Sequence, residues 1–208
     1  MIRRRTALSV TAAALLAAPL LTACGQTAHP GAAAVVGDDR ITVSQLQQQV
    51  ADVRDAQRSS PQGEQLTANS ARLGQDTLVR LIQYRIVEQA GKDNGVEVTR
   101  RELQRQRADV EAANGGAAAV RARFLALGIA PDQIDRALSV DLVRAKLDGK
   151  FGTARTNEIL MHTSDSLHVD VNPRYGVWDG KRGTAQTALE PWLRSAAAAA
   201  AAAADRPA

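Results

Sequence analysis

The sequence has one cysteine, Cys24, which stands directly after an apolar run. A single cysteine cannot form a disulfide within its own chain. A lone thiol without an adjacent histidine is also poorly suited to nucleophilic catalysis. The role of this cysteine must therefore come from its position in the chain.

Aromatic residues are scarce, at 3% of the 208 residues. A core must then be built mainly from leucine, valine, isoleucine and alanine. Side chains of this size suit helices that pack on helices at short distances. The length allows one domain of ordinary size plus tails.

Motifs that carry chemistry are missing from the sequence: it has no glycine-rich phosphate loop, no GxGxxG and no G-x-S-x-G elbow. The spacing of His162 and His168 fits neither a helical nor a strand pair of metal ligands, so with Asp170 they do not predict a metal site. His29, the third histidine, lies in a segment of small residues. We expect no catalytic residue, no metal, no cofactor and no enzymatic activity. The sequence does not exclude hydrolysis by a pair of carboxylates, although no pattern indicates which two residues would form the pair.

The net charge of +4 belongs mainly to the first residues, because Arg3, Arg4 and Arg5 precede any acidic residue. The remaining chain has a balance of about +1, with acids and bases interspersed as on a solvated surface. We therefore expect no nucleic-acid partner, and no small-molecule substrate is evident.

Residues 1–23 have the pattern of a secretory signal peptide, with the basic MIRRR ahead of an apolar stretch. The stretch covers about 16 residues, fewer than the ~20 that span a bilayer, and it contains Pro19. A short uncleaved anchor is the alternative. Arg4 and Arg5 are also compatible with a twin-arginine signal, which leaves the export route open.

The residues Leu21-Thr22-Ala23-Cys24 resemble the lipobox of bacterial lipoproteins. The resemblance implies a diacylglycerol group on the Cys24 sulfur, cleavage before Cys24 and attachment at the extracytoplasmic face of the cell membrane. Two or three acyl chains give stable anchoring, at ~0.8 kcal/mol per buried methylene. Cys24 is therefore predicted to be the lipidation site.

The rest of the chain divides by composition into three segments. Residues 24–33 are small and polar and predict a flexible tether. Residues 34–185 carry the periodic patterns of a helical domain. Residues 186–208 include nine consecutive alanines and predict a low-complexity tail.

Capping boxes predict two helix starts, at Thr42 with Gln45 and at Thr99 with Glu102. The second of these helices has few apolar residues and should lie at the periphery. Its arginines, Arg100, Arg101, Arg105 and Arg107, predict a solvated charged face, with an anion site as the alternative.

Further helices are predicted over about residues 67–91, as the central core element, after Pro131 and over residues 153–166. The helix after Pro131 should bury Ile134, Leu138, Leu142 and Ala145. The alternating segment LHVDV predicts a strand that pairs with the segment at Val35. Together the patterns predict a mainly α bundle of five or six helices with a minimal two-strand pairing.

In order and spacing, the chain from about 34 to 180 resembles the N-terminal region of SurA-type and PrsA-type extracytoplasmic chaperones. The resemblance is carried by VVGDDRITVSQL, AGKDNGVEVTRREL, LGIAPDQIDRALSVDLVRAKL and VDVNPRYGVWD. It implies a helical cradle that binds unfolded or newly exported polypeptides. Larger members carry a parvulin prolyl-isomerase domain after the late helix. Here only about 20 residues separate Leu147 from Val169, so no isomerase activity is expected. A structural or adaptor lipoprotein that docks one folded envelope partner is the alternative.

Tyr175 and Trp178 stand in the most distinctive polar-aromatic segment, VNPRYGVWDG. Their rings bury large areas at low entropic cost and could contact extended peptides. The alternative, which we favour, is that they pin the closing segment onto the bundle.

Replacing the predicted lipidation site by Cys24→Ser is expected to abolish incorporation of labelled fatty acid, because serine lacks the sulfur that accepts the lipid. The leader should then remain uncleaved, which immunoblotting of the variant beside the native chain would reveal. Normal processing of Cys24→Ser would mean that an ordinary signal peptidase acts on this leader.

Overall fold

The computed structural model describes residues 30–68 and 70–186 of the chain. These residues are mainly helical, which confirms the predicted fold class. Within them lie seven α-helices, rather than five or six, and five strands. The helices are α1 (Val43–Arg58), α2 (Gly63–Ala68), α3 (Leu73–Asp93), α4 (Arg100–Ala113), α5 (Ala117–Ala126), α6 (Ile134–Phe151) and α7 (Thr153–Ser166); the strands are β1 (Ala32–Val36), β2 (Asp39–Thr42), β3 (Asp170–Val171), β4 (Val177–Asp179) and β5 (Thr184–Gln186).

Both predicted capping boxes are present and set where α1 and α4 begin. Thr42 Oγ1 accepts from the Gln45 backbone N–H at 3.0 Å, and Gln45 Oε1 accepts from the Thr42 N–H at 2.9 Å. Glu102 Oε2 likewise accepts from the Thr99 N–H at 2.8 Å. These bonds satisfy donors that a helix start would otherwise leave unpaired.

The strands form a sheet in the order β2–β1–β3 and a separate β4–β5 hairpin. The predicted pairing is confirmed, because Val35 lies opposite Asp170 in antiparallel register. The sheet has a third strand because Gly37, with φ of 59°, lets the chain reverse after β1 and pair with itself. Glycine adopts this left-handed conformation without steric cost.

The central strand β1 begins at Ala32, two residues before the predicted domain boundary. Ala32, Ala33 and Ala34 are only 3%, 0% and 1% exposed. Their methyl groups are small enough for β1 to lie close to α3 while it pairs on both edges. This run of alanines is therefore part of the core.

The longest helix, α3, is the central core element that the sequence predicts, but it begins at Leu73 rather than at 67. The preceding α2 is separate and has no buried residue. Between them, Ser70 Oγ donates to the Thr67 carbonyl at 2.7 Å, a local bond that competes with helix continuation. The buried residues of α3 lie on several sides: Leu73, Thr77, Leu78, Leu81, Ile82, Ile86, Val87, Ala90 and Gly91.

The buried stripe of α6 differs in part from the prediction. Ile134 and Leu138 are buried as expected, whereas Leu142 is half-buried and Ala145 is exposed. The helix packs against α3, α4 and α7, so contact on several sides replaces one narrow stripe. Its further buried side chains are Ala137, Val140, Val143 and Leu147.

Helix α4 lies at the periphery as predicted and has no buried residue. Arg107 forms ion pairs with Glu111 and Asp135, which favours the interpretation as a charged face over an anion site. Lys146 Nζ on α6 lies 2.6 Å from Glu102 Oε1. Hydrogen bonds from Lys146 and Thr99 lower the pKa of Glu102 to about 2, so the carboxylate is ionised at neutral pH.

Helix α3 approaches α6 closely at Gly91. A Cβ placed on Gly91 would lie 2.7 Å from Val143 Cγ1 and 3.2 Å from the Val96 carbonyl oxygen. The Val143 side chain is branched at Cβ and has little rotamer freedom in a helix. The contact therefore depends on glycine.

Gly91→Ala is expected to lower the free energy of unfolding by about 1–3 kcal/mol, because the added methyl group overpacks the α3–α6 contact. Gly74→Ala is the matched control on the same helix, since a Cβ there meets nothing within 4 Å. It should leave stability unchanged or raise it by up to about 1 kcal/mol. Urea denaturation followed by circular dichroism measures both, and equal losses in the two variants would contradict the close-approach argument.

Candidate functional site

The closing segment folds back over the bundle as the β4–β5 hairpin and is held to α3 by two glutamines. Gln83 Nε2 donates to the Gly183 carbonyl at 2.7 Å, and Gln75 Nε2 donates to the Ala185 carbonyl at 3.4 Å. The hairpin is entered through Gly176, with φ of 117°. A Cβ there would lie 2.3 Å from the Gln186 carbonyl oxygen, so the entry requires glycine.

Trp178 connects the hairpin to α7. Its indole Nε1 donates to Ser164 Oγ at 3.0 Å, and its ring packs against the main hydrophobic cluster. The side chain remains half-buried. Trp178 therefore pins the closing segment, as the favoured interpretation of the sequence expects, and still presents part of its ring at the surface.

A groove of about 550 Å³ lies between this hairpin and helices α3, α6 and α7. We call it the hairpin groove. Its apolar lining includes Met161, which is 41% exposed although it is a large hydrophobic residue. The other apolar side chains that line it are Ile86, Val87, Val140, Leu160 and Trp178. This apolar lining can bury side chains brought by another molecule.

Polar groups form the rest of the lining. Arg144 Nη2 donates to Asn157 Oδ1 at 2.7 Å across α6 and α7. Burial raises the pKa of Asp141, and the neighbouring Arg144 guanidinium opposes that rise. Burial also raises the pKa of the Tyr84 phenol, whose ring centroid lies 5.4 Å from the Arg136 guanidinium carbon. The hairpin groove thus combines an apolar lining with charged and hydrogen-bonding groups.

Tyr175 lies in a different place from Trp178. It lines a second groove, of about 440 Å³, that runs along α1 beside Leu46, Val50 and Arg54. The Tyr175 carbonyl accepts from Gln75 Nε2 at 3.3 Å, which ties this residue to α3 as well. The two aromatic residues singled out in the sequence therefore do not share one pocket, and a role for either in binding peptides stays a prediction.

Sequence reasoning missed Met161, Asp141 and Arg144 as site residues. Met161 carried a usable signal, because the residues three and four positions away, which share its face of α7, are all polar: Asn157, Glu158, Ser164 and Asp165. The acid and the arginine carried none, since charged residues at exposed helix positions are ordinary.

The two histidines in the described part of the chain, His162 and His168, are both exposed. His168 has φ of 44° in the turn that leads to β3, and its Nδ1 lies 2.8 Å from the Ser166 carbonyl oxygen. Within residues 30–68 and 70–186, no three histidine, cysteine, aspartate or glutamate side chains are grouped as metal ligands.

The predicted lipidation site Cys24 lies outside the described residues, as do the signal peptide, His29 and most of the alanine-rich tail. Among the helices that the structure does describe, none has the length and apolar character needed to span a bilayer.

A family model described as the SurA-like N-terminal domain matches residues 1–148 of the chain. No curated protein and no solved structure matches the chain. The matched range ends within α6, so α7 and the β4–β5 hairpin lie beyond it. The match covers more than half of the chain and agrees with the resemblance carried by the capping boxes and glycine turns. The chain belongs to the SurA-like N-terminal domain family, which relates it to chaperones.

Proposed function

We propose that this protein is a lipid-anchored, extracytoplasmic, chaperone-like protein that binds unfolded or newly exported polypeptides in the hairpin groove. The observation that carries the proposal is a partly apolar groove, with Met161 and Trp178 in its lining, between helices of the SurA-like domain and the α7 and hairpin segments that follow the matched range. Its volume, about 550 Å³, falls within the range of ~300–1,000 Å³ typical of ligand clefts. It suits a short extended segment rather than a folded domain.

The lining of the hairpin groove suits partners of varied sequence. Methionine is flexible and polarizable, so it adapts to side chains of different shape. Promiscuous binding surfaces use such residues because they can repack around each partner. The half-buried Trp178 ring adds a rigid face on which an apolar side chain can stack.

We further propose that the protein acts by binding alone, without catalysing proline isomerisation. The sequence position at which larger SurA-type and PrsA-type proteins carry a parvulin domain is taken here by α7, which packs against α3 and α6. The helical bundle therefore continues through this position. A peptide isomerase assay with the purified protein is expected to give the background rate, and catalysis above it would contradict this part of the proposal.

The lipid on Cys24 and the short segment after it would hold the domain near the outer face of the membrane. The support for this anchor is the lipobox pattern in residues 21–24, directly behind a basic and apolar leader. A holdase placed there would meet exported chains soon after they emerge, while their apolar side chains are still exposed to water.

The chain from residue 25 onward, which omits the predicted lipidation site, is expected to slow the aggregation of an unfolded client at near-stoichiometric amounts, as followed by light scattering. Met161→Gln should weaken this effect several-fold, because it places an amide in the apolar lining of the groove. Leu127→Gln is the matched control: Leu127 is 62% exposed, but it lies outside the hairpin groove. It should retain the native effect.

Failure of the native protein to slow aggregation of several different clients would reject the holdase proposal. If Met161→Gln and Leu127→Gln lost the effect on aggregation equally, clients would not bind in the hairpin groove. A pull-down that yields one folded envelope partner, with no preference for unfolded chains, would favour the adaptor alternative.

A further inference from the structure

Cationic side chains from two different elements line the hairpin groove. Arg144 lies on α6, and its guanidinium donates to Asn157 Oδ1 on α7, another residue of the lining. Lys181 and Arg182 lie in the turn of the hairpin. All three side chains are exposed, so they can reach a molecule in the groove.

Three carboxylates lie close enough to modify this charge. Asp141 faces the groove beside Arg144. Asp179 is engaged within the turn, because its Oδ1 accepts from the backbone N–H groups of Lys181 and Arg182 at 3.1 Å. Its Oδ2 accepts from Gln186 Nε2 at 2.7 Å and lies 3.7 Å from Arg182 Nε, so Arg182 forms an ion pair within the turn while its side chain stays exposed.

The third carboxylate, Asp165, lies beside the hairpin turn. A Cβ on Gly180 would be 3.1 Å from Asp165 Oδ1, which places this oxygen against the turn backbone. Asp165 and Asp179 do not line the groove. Among the described residues that do line it, the cations therefore outnumber the acids, with Asp141 as the single carboxylate.

From this arrangement we propose that the hairpin groove prefers apolar client segments that are flanked by acidic residues. This inference rests on the proposed function and names the class of segment that the groove selects. The apolar side chains would contact Met161 and Trp178, and a flanking carboxylate would then lie near Arg144 or near the turn cations. Exposed ion pairs each contribute up to about five-fold in affinity.

The test uses the full-length protein in mild detergent and three fluorescent peptides that share one apolar core. The core is flanked on both sides by aspartate, by glutamine or by lysine. Fluorescence anisotropy at low salt is expected to show the aspartate peptide binding about three- to ten-fold more tightly than the glutamine peptide. The difference should shrink in 1 M salt, where the screening length falls to about 3 Å.

Variants of Arg144, of the two turn cations and of Asp141 distinguish this proposal from nonspecific hydrophobic binding. Arg144→Gln and the double variant Lys181→Gln/Arg182→Gln should each lower the aspartate-to-glutamine affinity ratio. Asp141→Asn should raise it, because it removes the carboxylate that repels an acidic flank. Arg105→Gln, which removes an exposed arginine of α4 outside the groove, should leave the ratio as it is.

Equal binding of the aspartate and glutamine peptides, or tighter binding of the lysine peptide, would overturn the acidic preference and leave the proposed function standing. An aspartate-to-glutamine affinity ratio that stays the same in all the groove variants would likewise overturn the acidic preference. Failure of all three peptides to bind would overturn both proposals together.

Discussion

The fold depends on burying α3 with aliphatic side chains almost alone. With so few aromatic rings in the chain, few large side chains are available to fill wide gaps between helices, so close approach of the helices is favoured. The contact between Gly91 and Val143 is an example, because α3 and α6 lie too close there for a Cβ on residue 91. Helices α1, α6 and α7 and the strand β1 all contact α3, and each fully buried leucine, isoleucine or valine stabilises the fold by about 1.5–3 kcal/mol.

The groove beside α3 depends on how the hairpin is attached to the bundle. The hairpin reaches the bundle at the end of the chain, and it is attached through side-chain hydrogen bonds from Gln75 and Gln83 to its backbone. Hydrogen bonds set a spacing without requiring interdigitated side chains. Apolar atoms of α3, α6 and α7 therefore remain accessible under the hairpin, and Trp178 covers only part of them. A tightly packed closing segment would have left no such surface.

Local signals predicted a large part of the fold. The capping boxes at Thr42 and Thr99 placed two helix starts correctly, because side chain and backbone satisfy each other within four residues. The limits of α7 were also predicted, with Gly152 before it. The break before Leu73 was missed, because the helix-forming pattern around it outweighs one serine hydroxyl. The burial of α6 was predicted only in part, because contacts on several of its sides decide which residues are enclosed.

The sequence by itself determined the helical class, the helix starts, the SurA-like resemblance and the expectation of a lipid on Cys24, because these follow from local patterns and from their order along the chain. Only the tertiary structure decided that the alanines of β1 are core residues, that Tyr175 and Trp178 lie in separate grooves, and that Met161, Asp141 and Arg144 face the hairpin. These outcomes join segments distant in the chain: Val35 pairs with Asp170, and Gln83 binds Gly183. Such contacts form because several elements share one core, and no short stretch of sequence contains that information.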